Sequence, residues 1–321
     1  MCGIVGWIKP KAKFETDLNL TELFKKGLVA ATDRGEDATG FYTIGTGLVK
    51  EALEPKEFVK DNLPDINDER FVIGHNRMAS AKYRSDKANL SNRNNAQPFE
   101  SNHFVTVHNG SLNMPRIKGY EYTSDIDSES IIAYAERNSV RNALSNIDGP
   151  ATVVMYDKKN KKILFWTNGE RPLAICLYKG MIFFASTKAI LRKMLGPKTE
   201  LNIFQPDLCF TTIYEDELLE FDLQKNQFCR RGEIEQKIPK AAAATVKSQV
   251  NNTYFQPVTS TQRKPLQRGC TANPPAVQQT LALSGSAEDD LSPLDSVNGK
   301  DVKKSIHVAA NGVRVITYHT K

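Results

Sequence analysis

The sequence has no long hydrophobic run, and this absence excludes a membrane protein. No stretch of the 321 residues approaches the roughly 18 consecutive apolar residues that a membrane-spanning helix needs. The amino terminus also lacks the basic segment and the small-residue cleavage site of a signal peptide. We therefore expect a cytoplasmic protein that does not bind a membrane.

Cysteine and histidine are scarce and unclustered. The five cysteines form no Cys-x-x-Cys pair, and the five histidines are equally scattered. This pattern is typical neither of a disulfide framework nor of a zinc site, and it fits a reducing compartment. The sequence therefore predicts no metal and no other cofactor.

The excess of positive charge is small and lies mostly near the end of the chain. The net charge is +6, and residues 241–321 alone contain nine Lys or Arg against five Asp or Glu. No basic run alternates with aromatic residues, as a surface that stacks nucleic-acid bases would require. We expect these charges to solvate the surface, and we expect no nucleic-acid partner.

The composition changes sharply near residue 238, which predicts a domain over residues 2–238 and a tail over residues 239–321. After position 240 the chain is rich in Gln, Asn, Thr, Pro and Ser and contains three aromatic residues. Such a segment buries too little apolar surface to offset its ordering entropy, so we expect a mostly disordered tail. A short strand is predicted over 313–318. This strand either docks on a sheet edge or a partner, or is only a hydrophobic chain end without a specific contact.

The first 240 residues predict a strand-rich α+β domain. Short apolar or alternating runs bounded by turn residues predict nine strands, over 3–8, 40–44, 71–75, 104–108, 151–156, 162–167, 173–178, 181–186 and 218–222. Helical spacing predicts one helix from Leu20 and a second from near Asp127. Many strands with few helices between them favour largely antiparallel sheets with helices packed outside.

Cys2 is notable for its position at the amino terminus. Its small side chain is expected to permit removal of Met1, which would leave a free α-amine on the same residue as the thiol. The reference pKa values are about 8 for the amine and about 8.5 for the thiol. One residue would then carry a nucleophile and a matched base. The plainer alternative is a small apolar residue at the start of a buried strand.

A series of motifs follows Cys2 in a fixed order. The segments are Cys2-Gly3-Ile4-Val5-Gly6, Arg34-Gly35-Glu36-Asp37, Gly74-His75-Asn76-Arg77, Asn95-Ala96-Gln97-Pro98-Phe99, His108-Asn109-Gly110 and Ser124-Asp125-Ile126-Asp127. This series resembles the class II glutamine amidotransferase domain, the glutaminase module of glucosamine-6-phosphate synthase and amidophosphoribosyltransferase. The resemblance covers about residues 2–225. It implies the four-layer αββα sandwich of two largely antiparallel sheets found in N-terminal-nucleophile (Ntn) hydrolases.

The resemblance also implies the catalytic residues. Cys2 would attack the side-chain amide of glutamine, with its own amine moving the proton. The Asn109 amide and the Gly110 N–H would form the oxyanion hole, although Asn-Gly is also an ordinary turn dipeptide. Arg34 and Asp37 are expected to form a structural pair that supports the nucleophile strand.

The remaining matched residues would hold the substrate. Arg77 would bind the α-carboxylate of glutamine with its guanidinium fork, and Asp127 would pair with the α-ammonium. Asp127 is also a favourable residue at a helix amino terminus. The resemblance further places Ser80 and His108 in the substrate pocket.

Some positions depart from the family pattern. A threonine and a tryptophan usually flank the carboxylate-binding arginine, and this sequence has Asn76 and Met78 there. We expect the polar run 82–94 to form a lid over bound glutamine whose closure differs from that of the familiar synthases.

Class II domains normally supply ammonia to a fused synthase. The roughly 95 residues after the resemblance contain no phosphate loop and no nucleotide-binding fingerprint. We therefore expect a glutaminase subunit that passes ammonia to a separate acceptor protein, with the tail as a tether. Two alternatives stay open: hydrolysis of another small amide, and a non-catalytic glutamine-binding or scaffold module.

Overall fold

Two antiparallel sheets form the centre of the fold. The structure, a computed structural model, describes residues 1–196, 209–211, 213–237, 296–297, 300–308 and 314–320. In chain order, the strands are β1 (Gly3–Ile8), β2 (Ala38–Thr43), β3 (Gly47–Glu51), β4 (Phe71–Arg77), β5 (Phe99–Glu100), β6 (Phe104–Gly110), β7 (Ala151–Asp157), β8 (Lys162–Thr167), β9 (Ala174–Tyr178), β10 (Met181–Ala185), β11 (Cys209–Thr211), β12 (Glu217–Asp222) and β13 (Gln227–Glu233). One sheet has seven strands in the order β11-β9-β10-β1-β4-β2-β3, and the other has six in the order β13-β12-β8-β7-β6-β5.

Helices cover the outer face of each sheet. They are α1 (Leu20–Ala30), α2 (Pro55–Asp61), α3 (Lys87–Ser91), α4 (Glu129–Arg137), α5 (Val140–Ser145) and α6 (Lys188–Leu195). Residues of α1, α2 and α6 pack with the seven-stranded sheet in one apolar cluster, and residues of α4 and α5 pack with the six-stranded sheet in another. A third apolar cluster lies between the sheets. The architecture is therefore the four-layer αββα sandwich that the sequence predicts.

Strand alternation decides which side chains enter the layer between the sheets. On β4, Phe71 and Ile73 belong to the inter-sheet cluster, while Val72 belongs to the cluster under the helices. The period of two then places His75 and Arg77 in the inter-sheet layer as well. On β6 the same alternation sends Asn109 inward.

All nine predicted strands and both predicted helices are confirmed, with ends that shift by up to two residues. Strands β3 and β13 were missed because each is an edge strand in which few side chains are buried. The second helix begins at Glu129, after a turn that contains Asp127.

Most of the predicted tail lies outside the described residues, so the expected disorder is untested. In the described parts of it, a separate sheet has the order β14-β15-β16. These strands span Ser296–Val297, Lys300–Val308 and Arg314–Thr320. The strand predicted over 313–318 corresponds to β16, and it pairs in antiparallel fashion with β15.

Candidate active site

Polar residues from both sheets meet at one end of the inter-sheet layer. Cys2 precedes β1 and Arg77 ends β4, so both come from the seven-stranded sheet. Asn109 and Gly110 end β6, which belongs to the six-stranded sheet. Cys2, Arg77 and Asn109 are buried, with exposures of 8%, 3% and 0%. The fold therefore brings together residues that lie more than 100 positions apart in the sequence.

Cys2 is fixed by contacts with both sheets. Its backbone N–H donates to Asn109 Oδ1 over 3.0 Å, and its Sγ lies 3.5 Å from the Met78 backbone nitrogen. Burial raises the pKa of the Cys2 thiol above its ordinary value, and the Met78 N–H and the charge of Arg77 offset only part of this rise. The thiol is therefore protonated at neutral pH, and its attack on a substrate needs a base.

Asn109 presents a free donor beside Cys2. Because Asn109 Oδ1 accepts from Cys2, the amide nitrogen Nδ2 is the other end of the group, and it is buried without a hydrogen-bond partner. Gly110 follows with φ 155°, and a Cβ at this position would collide with the carbonyl oxygen of Pro150. A side chain would therefore disturb the end of the strand that carries Asn109.

Arg77 carries a second free donor in the same pocket. Its Nη2 donates to Asn89 Oδ1 over 2.6 Å, and its Nη1 is buried without a partner. Burial lowers the pKa of Arg77, and the negative charges of Asp37 and Asp127 oppose this shift. An arginine stays charged in proteins, so this guanidinium is a buried cation able to bind an anion.

Asp127 is held by backbone hydrogen bonds in the turn before α4. Its Oδ2 accepts from the Leu112 N–H over 2.7 Å, and its Oδ1 accepts from the Ser128 N–H over 2.9 Å. The Asp127 charge acts on the pKa values of Arg77, Cys2 and His108. The site therefore combines a buried cation with a carboxylate whose charge acts on it.

His108 lies on the opposite face of β6 from Asn109, as alternation requires. Its Nδ1 lies 2.9 Å from Ser128 Oγ, and its Nε2 is buried without a partner. The side-chain amide of Gln97 makes two hydrogen bonds to the backbone of His108. Its Oε1 accepts from the His108 N–H over 2.6 Å, and its Nε2 donates to the His108 carbonyl over 3.2 Å. Gln97 and Ser128 thus hold His108, the strand residue two positions before Gly110.

Two buried histidines in this region are neutral. Burial lowers the pKa of His75 to about 3 and that of His108 to about 4. The His75 Nε2 lies 3.0 Å from the His108 carbonyl oxygen. A carbonyl only accepts, so His75 Nε2 carries the hydrogen, and the bond links β4 to β6.

Arg34 and Asp37 do not form the expected pair, and Ser80 lies at the surface. Ser80 is exposed and precedes the 3-10 turn Ala81–Tyr83, where its hydroxyl caps no backbone N–H. Within residues 1–196 no salt bridge joins Arg34 to Asp37. Arg34 Nε donates to the Cys2 carbonyl over 3.1 Å, and Asp37 Oδ2 accepts from the Ala79 N–H over 2.6 Å. Each side chain therefore contacts a backbone group of the site, separately and not as a pair.

Sequence reasoning missed three residues that shape the pocket: Asn89, Gln97 and Ser128. Gln97 lies within one of the recognised motifs, but nothing in its sequence context shows that both ends of its amide bind the backbone of His108. Asn89 lies in the polar run predicted to form the lid. The polar run contains several asparagines, and the sequence does not indicate which of them is buried.

Comparisons with known proteins agree with this geometry. The model of a family described as "Glutamine amidotransferase domain" matches residues 85–193. The chain is 28% identical over 205 residues to 7-cyano-7-deazaguanine synthase of Sulfolobus acidocaldarius, covering 58% of this chain and 43% of that protein. It is 26% identical over 224 residues to glutamine–fructose-6-phosphate aminotransferase of Bacillus spizizenii, covering 63% of this chain and 34% of that protein. The chain thus spans less than half the length of these relatives.

A solved structure supports the same assignment at the level of the fold. Glutamine phosphoribosylpyrophosphate amidotransferase from B. subtilis superposes with a TM-score of 0.53 at 17% identity, covering 73% of this chain and 49% of that one. Within the described part of the chain, no helix is both long and apolar enough to cross a membrane. The family match over residues 85–193, the relatives and the fold together support a class II glutamine amidotransferase domain of the Ntn type.

Proposed function

We propose that this protein hydrolyses the side-chain amide of L-glutamine to glutamate and ammonia, with Cys2 as the nucleophile. The contact between Cys2 and Asn109 carries the proposal. One end of the Asn109 amide accepts from the Cys2 nitrogen over 3.0 Å, and the other end is a buried donor without a partner. A nucleophile and a free donor are therefore adjacent, as acyl transfer requires.

The first half of the reaction forms a thioester. After removal of Met1, the Cys2 α-amine takes the proton from the thiol. Sγ then adds to the amide carbon, and Asn109 Nδ2 and the Gly110 N–H stabilise the resulting oxyanion. Collapse of this intermediate breaks the C–N bond, and the amine gives its proton to the departing ammonia.

Hydrolysis of the thioester completes the reaction. The Cys2 amine, now neutral, takes a proton from water as the water attacks the γ-carbonyl carbon. The C–S bond breaks, the thiol regains its proton, and glutamate is released. The same donors serve both halves because the oxyanion forms at the same place each time.

Arg77 and Asp127 are proposed to select the substrate. The buried Arg77 would bind the α-carboxylate, and Asp127 would bind the α-ammonium. The neighbouring His75 and His108 are neutral, so they add no competing positive charge for the carboxylate. This pair of opposite charges favours free glutamine over an N-acylated amide.

We propose that the ammonia passes to a separate acceptor protein and that residues 239–321 tether it. The relatives named above are a synthase and an aminotransferase, and this chain matches less than half of either. Removal of residues 240–321 is then expected to spare glutamine hydrolysis and to weaken the association. Cys2 and Cys229, two of the cysteines in the described part of the chain, form no disulfide, which supports a cytoplasmic location.

Mass spectrometry before and after treatment with 6-diazo-5-oxo-L-norleucine, a diazo-ketone analogue of glutamine, tests the nucleophile. We expect protein without Met1 and a single adduct on Cys2, and no adduct in the Cys2→Ser variant. Cys229→Ser is the matched control, since Cys229 is a free and partly exposed thiol outside the site, and it should be labelled like the wild type.

Two outcomes would contradict the proposal. Retained Met1 without an adduct would indicate the non-catalytic binding module. Labelling at Cys229 or Cys176 with Cys2 unmodified would show that the analogue reacts by thiol exposure and not by recognition of glutamine.

A further inference from the structure

Asn89 is the contact between the lid segment and Arg77. It lies in α3, within the polar run 82–94, yet its exposure is 5%. Its Oδ1 accepts from Arg77 Nη2 over 2.6 Å. A residue predicted to belong to a mobile polar segment is thus buried against the guanidinium proposed to bind substrate.

The orientation of the Asn89 amide follows from its partner. Arginine only donates hydrogen bonds, so the atom that faces Arg77 must be the oxygen. The amide nitrogen Nδ2 therefore lies on the other side, where it is buried and has no partner. Arg77 Nη1 is likewise buried without a hydrogen-bond partner.

These two nitrogens belong to side-chain groups that are joined to each other by one hydrogen bond. One is bonded to the carbon next to Oδ1 and the other to the carbon next to Nη2, so they flank a single hydrogen bond. A buried donor without an acceptor is unfavourable, and two such donors on hydrogen-bonded groups favour a ligand that supplies two acceptors. A carboxylate has two acceptor oxygens and the negative charge that the guanidinium attracts.

We propose that Asn89 is a second donor to the α-carboxylate of glutamine: Arg77 Nη1 binds one oxygen and Asn89 Nδ2 binds the other. This inference rests on the proposed function and assigns a residue of the lid to the substrate pocket. A neutral amide adds a directional hydrogen bond without a further charge.

The backbone around Asn89 holds this donor in place. Asp86 Oδ1 accepts from the Asn89 N–H over 3.0 Å, and Asn95 Nδ2 donates to the Asn89 carbonyl over 3.0 Å. With Arg77 holding the side chain, the residue is fixed at three points. Preorganisation of this kind is what a binding residue needs.

Steady-state kinetics of Asn89→Ala test the inference with two substrates. For L-glutamine we expect KM to rise about 10- to 100-fold, the range for one hydrogen bond to a charged group, with kcat within about threefold of the wild type. For 4-aminobutanamide, which is glutamine without the α-carboxylate, kcat/KM should stay within about twofold of the wild-type value.

Asn92→Ala is the matched control. Asn92 lies in the same segment and its side chain also makes a capping hydrogen bond, to the Asn94 N–H over 3.0 Å, but it does not contact Arg77. Its KM for glutamine should equal that of the wild type. Thermal melts of both variants report any loss of fold.

A double-mutant cycle separates direct binding from mere orientation of Arg77. In the Arg77→Ala background, loss of Asn89 should still lower kcat/KM for glutamine about tenfold. If loss of Asn89 in the Arg77→Ala background caused no further fall in kcat/KM for glutamine, direct binding would be overturned. An equal fall in kcat/KM for glutamine and for 4-aminobutanamide in Asn89→Ala would overturn it as well.

The result also separates this inference from the proposed function. Wild-type turnover of glutamine with an unchanged KM in Asn89→Ala overturns the role of Asn89 alone. A wild-type protein that neither hydrolyses glutamine nor binds it by calorimetry overturns both.

Discussion

The layer between the two sheets has an apolar end and a polar end, although the same strands run through both. On β4, Phe71 and Ile73 give way to His75 and Arg77 along one face. At the apolar end, aromatic rings from both sheets are in contact, and the Phe71 and Tyr156 ring centroids are 4.6 Å apart. At the polar end, nitrogens of His75, Arg77 and Asn109 are buried without partners.

This difference separates residues that stabilise the fold from residues kept for chemistry. The apolar end gains free energy from burial and close packing. The polar end loses free energy, because each unpartnered buried donor has given up its hydrogen bonds to water. The fold tolerates that loss where a substrate can later supply the acceptors. Stability and activity should therefore respond to changes at opposite ends of the layer.

Phe71→Ala should produce the largest effect, and the effect should be on stability. Truncation of a fully buried phenylalanine leaves a cavity and costs about 3–5 kcal/mol of the free energy of unfolding. Urea unfolding measures this change, and kcat of the folded protein should stay within about twofold. Leu53→Ala, at 40% exposure, is the control and should cost within about 0.5 kcal/mol. If Phe71→Ala removed activity without unfolding, the division between the two ends would be wrong.

Asn109→Asp should produce the converse result. The side chain keeps its shape and can still accept from the Cys2 nitrogen, but the Nδ2 donor is replaced by an oxygen that repels the oxyanion. Glutaminase assays should show kcat lower by about 10²–10³-fold or more. Asn138→Asp, an exposed residue that follows α4, is the charge-matched control and should behave as the wild type. An unchanged kcat for Asn109→Asp would mean that the oxyanion is stabilised elsewhere.

His75→Gln should make the free energy of unfolding less dependent on pH. The folded pKa of His75 is about 3, and the unfolded value is about 6.5. Between these values the unfolded chain binds the additional proton, so the contribution of His75 to stability is complete above about pH 6.5 and is lost as pH falls toward 3. Urea titrations from pH 7 to pH 4 should therefore give an acid slope shallower by about 1.4 kcal/mol per pH unit in the variant. Parallel curves for the two proteins would show that folding does not lower the pKa of His75.

The sequence predicted the core strands of both sheets because their apolar patterns are strong. β1 is buried on both faces and reads as a continuous apolar run bounded by turn residues, so even its ends agree. The edge strand β3 is half-buried throughout and has no such contrast. Helix α5 has six residues, which is too short for a helical period to become visible.

The candidate site was predictable where motifs fix residue types and less so where the outcome depends on packing. Cys2 and Asn109 came from motifs more than 100 residues apart, and the structure places them in contact. The expected pair of Arg34 and Asp37 does not form, and the two side chains instead bond the Cys2 carbonyl and the Ala79 N–H. The burial of Asn89 depends on Arg77, a partner twelve positions away that no local pattern reveals.

The site also lies at the boundary between the two sheets, since Cys2 belongs to one sheet and Asn109 to the other. The distance between the proposed nucleophile and the proposed oxyanion donor is therefore set by the thickness of the layer that separates the sheets. Rings such as Phe165 and Phe184, which face each other across that layer with centroids 5.2 Å apart, act as spacers for the catalytic geometry. A dense interior compresses very little, so side chains remote from the substrate hold an atomic separation constant through each catalytic cycle.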